Sequence, residues 1–449
     1  MSSIQEKKQI AKPELTGKKP PKVVVAPSTN IIGTVTRVGR KYPEMAHLRS
    51  PLFDFYLASD PELIQEILVT HHKNFVKGDF LQRTKKVFGE GLLTSEGDFH
   101  HRQRRLVQPA FNHARIAGYA DVMNYYTDRV LGEWKDGEIL DIHEEMTRLT
   151  MAIVAKCLFN EDVEVQSSSL SQSLTDIIEY FNRLSSPLSW LLEKLPSNGK
   201  YNAAVEKVDR MVYRMIEDRL KTGKDPGDLL SMLLAARDLD GSAMSQRQVR
   251  DEALILFAAG HETTANALSW TWYLVSQHSE LADKLREEVD LSLGSRSPTY
   301  ADVPNLTYTT NVFTEGMRLY PPAWILTRQA IADCTIGEYA IPSGTDVLLS
   351  QYVLHHDPRF YKDPEKFDPD RWTKEMRANL PRFAYFPFGG GPRSCVGEPF
   401  AWMEGALIIS RMAQKWNLSL AETKKVEMLP RITLRPKNGI KMKVTKRKE

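Results

Sequence analysis

The chain has 449 residues, 42% of them hydrophobic and 26% charged, with a formal net charge of +3 and a pI near 8.5. Such a composition argues against disorder throughout, and the length can bury a large core around a bulky ligand. The charge is too mild for an obligate nucleic-acid binder, whose basic residues would be more numerous and more clustered.

Residues 1–25 are rich in Lys and Pro and are expected to lack a fixed structure. They hold no apolar run, so no secretion signal is expected, and KKPPK at 18–22 and KRK at 446–448 read as solvated tails. FDFYLA at 53–58 predicts a strand, and the following DPELIQEIL predicts a helix with Asp60 as N-cap and Pro61 in its first turn. From about 100 to 320 the pattern is overwhelmingly helical, with no Pro/Gly/Ser-rich run long enough to separate domains. One large domain over 26–449, mainly α with small β-sheets, is therefore expected. Strand signals return at 335–350 and 432–444, where Asn438-Gly439 is a hairpin signal.

Ser245 and Gln248 form a capping-box pattern opening a helix over about 246–276. Its middle, LFAAGHETTANAL, interrupts the longest apolar run with His261, Glu262, Thr263, Thr264 and Asn266, which makes it a poor transmembrane segment. Gly260 weakens the helix, and Thr263 or Thr264 can bond back to carbonyls a turn earlier and bend it. His261-Glu262 begins a zinc-protease HExxH pattern, but Ala265 stands where the second His ligand belongs. What remains is an acid beside an alcohol, with room over Ala259 and Gly260 for a flat or diatomic ligand. That suits proton delivery.

In YTTNVFTEGMRLY at 308–320, Glu315 and Arg318 share a helix face, and Pro321-Pro322 stop the helix. Such pairs are usually surface ion pairs, but Arg371 in FDPDRW could close on Glu315 to make a three-member network.

The three cysteines, Cys157, Cys334 and Cys395, lie far apart and form neither a CxxC pair nor a disulfide framework, which fits a reducing compartment. Cys395 differs from the other two. Glycines before it allow a tight turn and close approach to a ligand, and FAWMEGALIISRM after it predicts an amphipathic helix. The cysteine thus sits near a helix N-terminus, where the dipole and free N–H groups favour the thiolate that a metal ligand or nucleophile needs. No His lies in the loop to serve as the base of a catalytic thiol.

FGGGPRSCVG resembles the haem-binding signature of the cytochrome P450 family, Phe-x-x-Gly-x-Arg-x-Cys-x-Gly, with Phe388, Gly391, Arg393, Cys395 and Gly397 all matching. AGHETT at 259–264 is similar to the family's oxygen-activation motif, Glu315-x-x-Arg318 to its helix pair, and PDRW to its meander arginine, with Trp372 where Phe is commoner. The motifs occur in the family's order, and the resemblance covers nearly the whole chain.

The resemblance implies the cytochrome P450 fold as a single haem domain carrying haem b (iron protoporphyrin IX), and a bacterial, soluble, cytoplasmic enzyme. Cys395 would be the iron ligand, with Phe388 packed beside it. His100, Arg104, Arg328 and Arg393 would meet the haem propionates, His100 standing where the family often has Trp. Gly260, Glu262 and Thr263 would line the oxygen pocket, Thr263 holding the oxygen and Glu262 relaying protons.

The implied activity is monooxygenation: one atom of O2 enters a hydrophobic small molecule, with electrons from a separate ferredoxin or flavodoxin and its reductase. By analogy the substrate meets NFVKGDFLQ at 74–82, SSPLSWLLEKL at 185–195, the residues before Glu262, the PPAWILT run and the ITLRP stretch. Phe75, Phe80, Leu256, Ala258, Ala259, Trp324, Ile325, Leu326 and Ile432 are the candidate lining. They favour a fatty acid, terpenoid, steroid or macrolide-like compound. A peroxide-driven or isomerising haem-thiolate enzyme and a non-enzymatic haem or apolar-ligand carrier are the rival readings.

Overall fold

The computed structural model describes residues 15–26, 30–51, 53–162, 198–223 and 225–448, together with Ser173, Asp176, Ile177 and Tyr180. The stretch 185–195 lies outside the described residues, as does the side chain of Phe80.

FDFYLA forms β3 (Phe53–Ala58), and Asp60 caps the following helix by accepting from the N–H groups of Glu62 and Leu63, with Pro61 at its start. β3 pairs antiparallel with β2 (Met45–Ser50) and in parallel with β9 (Asp346–Leu349), so Leu57 stands opposite Ala46 and Leu348. β1 (Lys22–Val24), β6 (Leu326–Ala330) and β4 (Phe75–Val76) complete a six-stranded sheet in the order β1-β2-β3-β9-β6-β4. The Lys- and Pro-rich segment differs in part from expectation: Lys22–Val24 add a parallel strand to β2, and Lys18 bridges to Tyr339, while residues 1–14 lie outside the described residues.

The helical part is organised by Gln246–Val275, 30 residues opened by the Ser245–Gln248 capping box, and about 45 Å long. It remains α-helical through Gly260, although Thr263 Oγ1 donates to the Ala259 carbonyl at 2.7 Å as anticipated. The Ile142–Phe159 helix lies along it, and Thr150 Oγ1 donates to the His261 carbonyl at 2.9 Å. Thr307–Leu319, carrying the Glu315/Arg318 pair, and Glu398–Lys415, following Cys395, pack against it in the main core around Trp270, Phe313 and Leu407.

Asn438-Gly439 turns the chain, with Gly439 at φ +72°, but joins two different sheets. β12 (Leu434–Pro436) pairs backwards with β11 (Met428–Pro430), whereas β13 (Lys441–Lys446) lies between β10 (Trp416–Leu420) and β5 (Ile139–Asp141). The reason is burial: Met442 and Val444 are the buried face of β13, and they complete the core beneath β10 and β5.

Candidate functional site

The loop before the Glu398–Lys415 helix is held in a shape that only its glycines allow. Gly389 and Gly391 have φ of +71° and +68°, and a Cβ on Gly391 would lie 2.0 Å from the Leu68 carbonyl oxygen. The Cys395 N–H donates to the Phe388 carbonyl at 2.9 Å, and the Phe388 ring meets Trp402 at 5.5 Å. Cys395 is exposed, yet its titration is dominated by desolvation, the combination expected of a side chain on the wall of an internal cavity.

Burial pushes the Cys395 thiol up, against the N–H groups of Gly397 and Glu398 and the charge of Arg104, which pull it down. The expected bias towards thiolate is therefore present but outweighed in the free side chain. A coordinating metal cation reverses that balance outright.

Four basic residues gather around this loop. Arg104, on the Gly97–Val107 helix, donates to the Ser394 carbonyl at 2.7 Å and to its hydroxyl at 3.2 Å. Arg393 donates to the Ser95 carbonyl at 2.6 Å and pairs with Glu96. Arg328, 7% exposed on β6, donates to its neighbour Thr327's carbonyl at 2.9 Å and to no other acceptor among the described residues, and burial beside Arg393 brings its pKa down to about 10. His100 is 2% exposed with an unpartnered Nδ1, and burial together with Arg393, Lys77 and Arg104 holds it neutral.

Lys77, in a loop whose sequence gives no sign of burial, is buried in the same region. Its ammonium donates to the carbonyls of Leu92 and Leu93 at 2.7 and 2.5 Å. Burial and the charges of Arg393 and Arg328 pull its pKa well down, with Glu96 opposing them. Buried positive charge in this excess calls for an anion.

On the long helix, residues 249–257 and 264–275 are buried all round, whereas Ala259 is exposed and Ala258, Gly260 and Thr263 are partly open. Ala259 and Thr263 lie one turn apart on one face. Glu262 sits off that face, 8% exposed: Oε1 accepts from Thr433 Oγ1 at 2.6 Å and lies 2.8 Å from Arg435 Nε. Behind the helix, Glu404 is buried against Thr264, with neither carboxylate oxygen in a well-formed hydrogen bond, and burial raises its pKa to about 8.

Glu315, Arg318 and Arg371 form one buried network. Glu315 and Arg318 are both 0% exposed, and Glu315 accepts from Arg318 Nε and Nη2 (both 2.8 Å) and Arg371 Nε (2.9 Å). Trp372 Nε1 (2.8 Å) and the Asp368 N–H (3.1 Å) add two more donors, so the Trp in place of the commoner Phe supplies a bond that Phe cannot. Arg318 also donates to the carbonyls of His355, Pro364 and Lys366, pinning the meander loop to the helix.

Of the candidate substrate contacts, Leu256 and Ala258 adjoin the open stripe through Ala259. Leu326 lies beside Gly389 of the cysteine loop, and Ile432 is half-buried at the tip of the β11–β12 hairpin. Ile325 packs under the sheet. Phe75 and Trp324 are core residues. Phe75 is buried with Leu68 and Phe386, and the Trp324 indole packs against Leu48 and Leu434 and donates to the Arg431 carbonyl at 2.8 Å.

The cysteine loop, the buried ExxR network and the acid–alcohol turn occur together in one enzyme class, and the Cytochrome P450 family profile matches residues 23–444. The chain belongs to the cytochrome P450 family. It is 38% identical to cyclooctatin synthase of Streptomyces melanosporofaciens over 87% of this chain and 86% of that protein. Cyclooctat-9-en-7-ol 5-monooxygenase of the same organism is 36% identical over 81% and 80%, and pentalenene oxygenase of Streptomyces avermitilis 31% over 87% and 88%. A solved cytochrome P450DA haem domain superposes with a TM-score of 0.88 at 25% identity, over 96% of this chain and 98% of that one.

The family makes the protein a haem-dependent monooxygenase that needs O2, a substrate and an electron donor. The residues present fit that cofactor. An exposed cysteine in a glycine-shaped loop offers a sulfur ligand for the iron, and a cationic cluster with an imidazole nitrogen that has no partner among the described residues suits a ring bearing two carboxylates. No helix among the described residues is long and apolar enough to cross a membrane.

Proposed function

We propose that residues 26–449 form a single haem b domain in which Cys395 would hold the iron and which oxygenates a terpenoid, in the cytoplasm, with electrons from a separate ferredoxin or flavodoxin and its reductase. The observation that carries the assignment is the gathering of Arg104, Arg328, Arg393 and His100 around the Cys395 loop. His100, Arg104, Arg328 and Arg393 would hold the propionates, and Phe388, Gly391 and Gly397 shape the loop around the sulfur. Bound haem, with the thiolate donating electron density, would supply the O2 activation that inserts one oxygen atom and releases the other as water.

The chain's own part is to bind, orient and deliver protons. Thr263 presents a hydroxyl on the open face of the long helix; its own proton is donated to the Ala259 carbonyl, so it can accept a proton on its free lone pairs and hand one on as that bond opens. Glu262 is the nearest acid along the helix and replenishes it. Ala259 and Gly260 keep the face free of bulk, and Leu256, Leu326 and Ile432 offer apolar surface. Two relatives are named for cyclooctat-9-en-7-ol and pentalenene, which favours terpenoids among the apolar classes.

The reduced holoprotein with carbon monoxide is expected to show the red-shifted Soret band of thiolate-ligated haem, and Cys395→Ser to lose it. Retention of the band in Cys395→Ser would reject the ligand. Cyclooctat-9-en-7-ol, pentalenene, a fatty acid and a steroid are then compared by spin-state shift and turnover with a surrogate ferredoxin system. Turnover with hydrogen peroxide alone, at the same rate, would favour the peroxide-driven rival.

A further inference from the structure

The β11–β12 hairpin is fastened on two sides. On the sheet side, the indoles of Trp324 and Trp270 donate to the carbonyls of Arg431 and Leu434 at 2.8 and 2.9 Å, and the Leu434 N–H donates to the Pro322 carbonyl at 2.9 Å. These anchors use backbone atoms and hold for any side chain on the hairpin.

On the other side, both links converge on one oxygen of Glu262. Thr433 Oγ1 donates to it at 2.6 Å, and Arg435 Nε lies 2.8 Å away with its N–H unaligned, so that this contact is charge attraction without a directional bond. Ile432, between Arg431 and Thr433, carries the apolar surface of the tip. The other titratable groups facing Glu262 are His143 and His261, both pushed down by burial, so Arg435 is the cation that acts on it.

We infer that Arg435 and Thr433 are positioning residues that park the Glu262 carboxylate on the hairpin side of the long helix, so that proton supply at Thr263 depends on whether substrate presses on Ile432. The inference rests on the reading of Glu262 and Thr263 as the proton-delivering pair. A side chain held by one strong hydroxyl bond and one unaligned ion pair is secured at rest and released by a small displacement of the hairpin. Parking Glu262 restrains wasteful reduction of O2 when no substrate is bound. The wasted reaction is 2 NADPH + O2 + 2 H⁺ → 2 NADP⁺ + 2 H2O, and it consumes protons that Glu262 would deliver through Thr263.

The test measures NADPH oxidation and O2 uptake by the substrate-free holoenzyme with a surrogate ferredoxin and ferredoxin reductase, with peroxide assayed so that the water-forming share of the leak is known. Arg435→Met should raise the leak roughly tenfold, less than the about 10²–10⁴-fold of a fully positioned proton donor, because the Thr433 bond to Glu262 remains. Arg435→Lys should stay near the parent, and adding Glu262→Gln to Arg435→Met should remove the increase. An unchanged leak in Arg435→Met overturns the inference. So does a raised leak that persists in the double variant, which would mean only a loosened pocket. Thr433→Val, which keeps the ion pair, should raise the leak by a smaller factor that also depends on Glu262. Amide hydrogen exchange at residues 431–434 gives a readout apart from activity: it should quicken in Arg435→Met and be restored by Arg435→Lys, and equal exchange in all three proteins refutes the clamp. The carbon monoxide band of the same parent sample reports separately on the monooxygenase reading.

Discussion

Replacing Glu404 by Met should stabilise the protein, and by more at pH 8 than at pH 5. The carboxyl is buried against Thr264 without a well-formed hydrogen bond, and desolvation raises its pKa from 4.5 to about 8. The unfolded chain gives up this proton above its ordinary pKa, while the folded chain keeps it until about pH 8. Between those values the unfolded state binds fewer protons, so stability falls as pH rises, and levels off above the folded value. At about 1.4 kcal/mol per pH unit, the full difference is on the order of 5 kcal/mol, and roughly 3 kcal/mol by neutrality. Met has similar length and no charge, so Glu404→Met removes that slope. Urea unfolding of parent and variant, followed by far-UV circular dichroism at about pH 5 and about pH 8, measures the difference. Glu252, whose pKa burial raises to about 7, leaves a residual slope in both proteins. If parent and Glu404→Met lose stability in parallel across this range, Glu404 does not carry a buried proton.

Three further outcomes are expected. Thr263→Ala should load haem and bind ligand normally but release several-fold more peroxide per NADPH, since the hydroxyl on the open face is lost; unchanged product per electron would remove Thr263 from proton delivery. Glu315→Ala leaves the guanidinium of fully buried Arg318 without its carboxylate, a loss of about 3–5 kcal/mol, and should yield mainly haem-free or aggregated protein. Trp372→Phe removes one donor from Glu315 and should lower stability by about 1–2 kcal/mol while retaining haem; a change as large as that of Glu315→Ala would show that the ring packing matters more than its N–H.

Legibility in the sequence followed how local each requirement was. The cysteine loop, the ExxR pair, the Asp60 cap and the Ser245 capping box each need particular residue types at fixed spacing within one element, and all four lie where their patterns placed them. Glu262 could be singled out, but not its partners: Thr433 is 171 residues away, and nothing in ITLRP distinguishes a threonine that clamps an acid from one that faces solvent. Lys77 was invisible for the same reason, since a lysine in a polar loop reads as solvated until the fold buries it. The Asn438-Gly439 signal reported a turn correctly and could not report pairing, because the choice between β12 and β10 as partner of β13 depends on which core Met442 and Val444 fill. Trp324 stands among the candidate lining on sequence, and the bond from its indole to the Arg431 carbonyl, 107 residues away, has no local signature.

The three-stranded sheet has a consequence for how the protein is made. Its middle strand is β13, the last of the three to leave the ribosome, while β5 precedes it by some three hundred residues. Until β13 is synthesised, β5 and β10 have no strand to join them, and the buried face of Met442 and Val444 is missing from the core. The loop bearing Cys395 is also made late, shortly before β10. If Cys395 holds the haem as proposed, capture of the cofactor and closure of this sheet fall in the same final stage of synthesis, with the long helix and its neighbours partly uncovered until then.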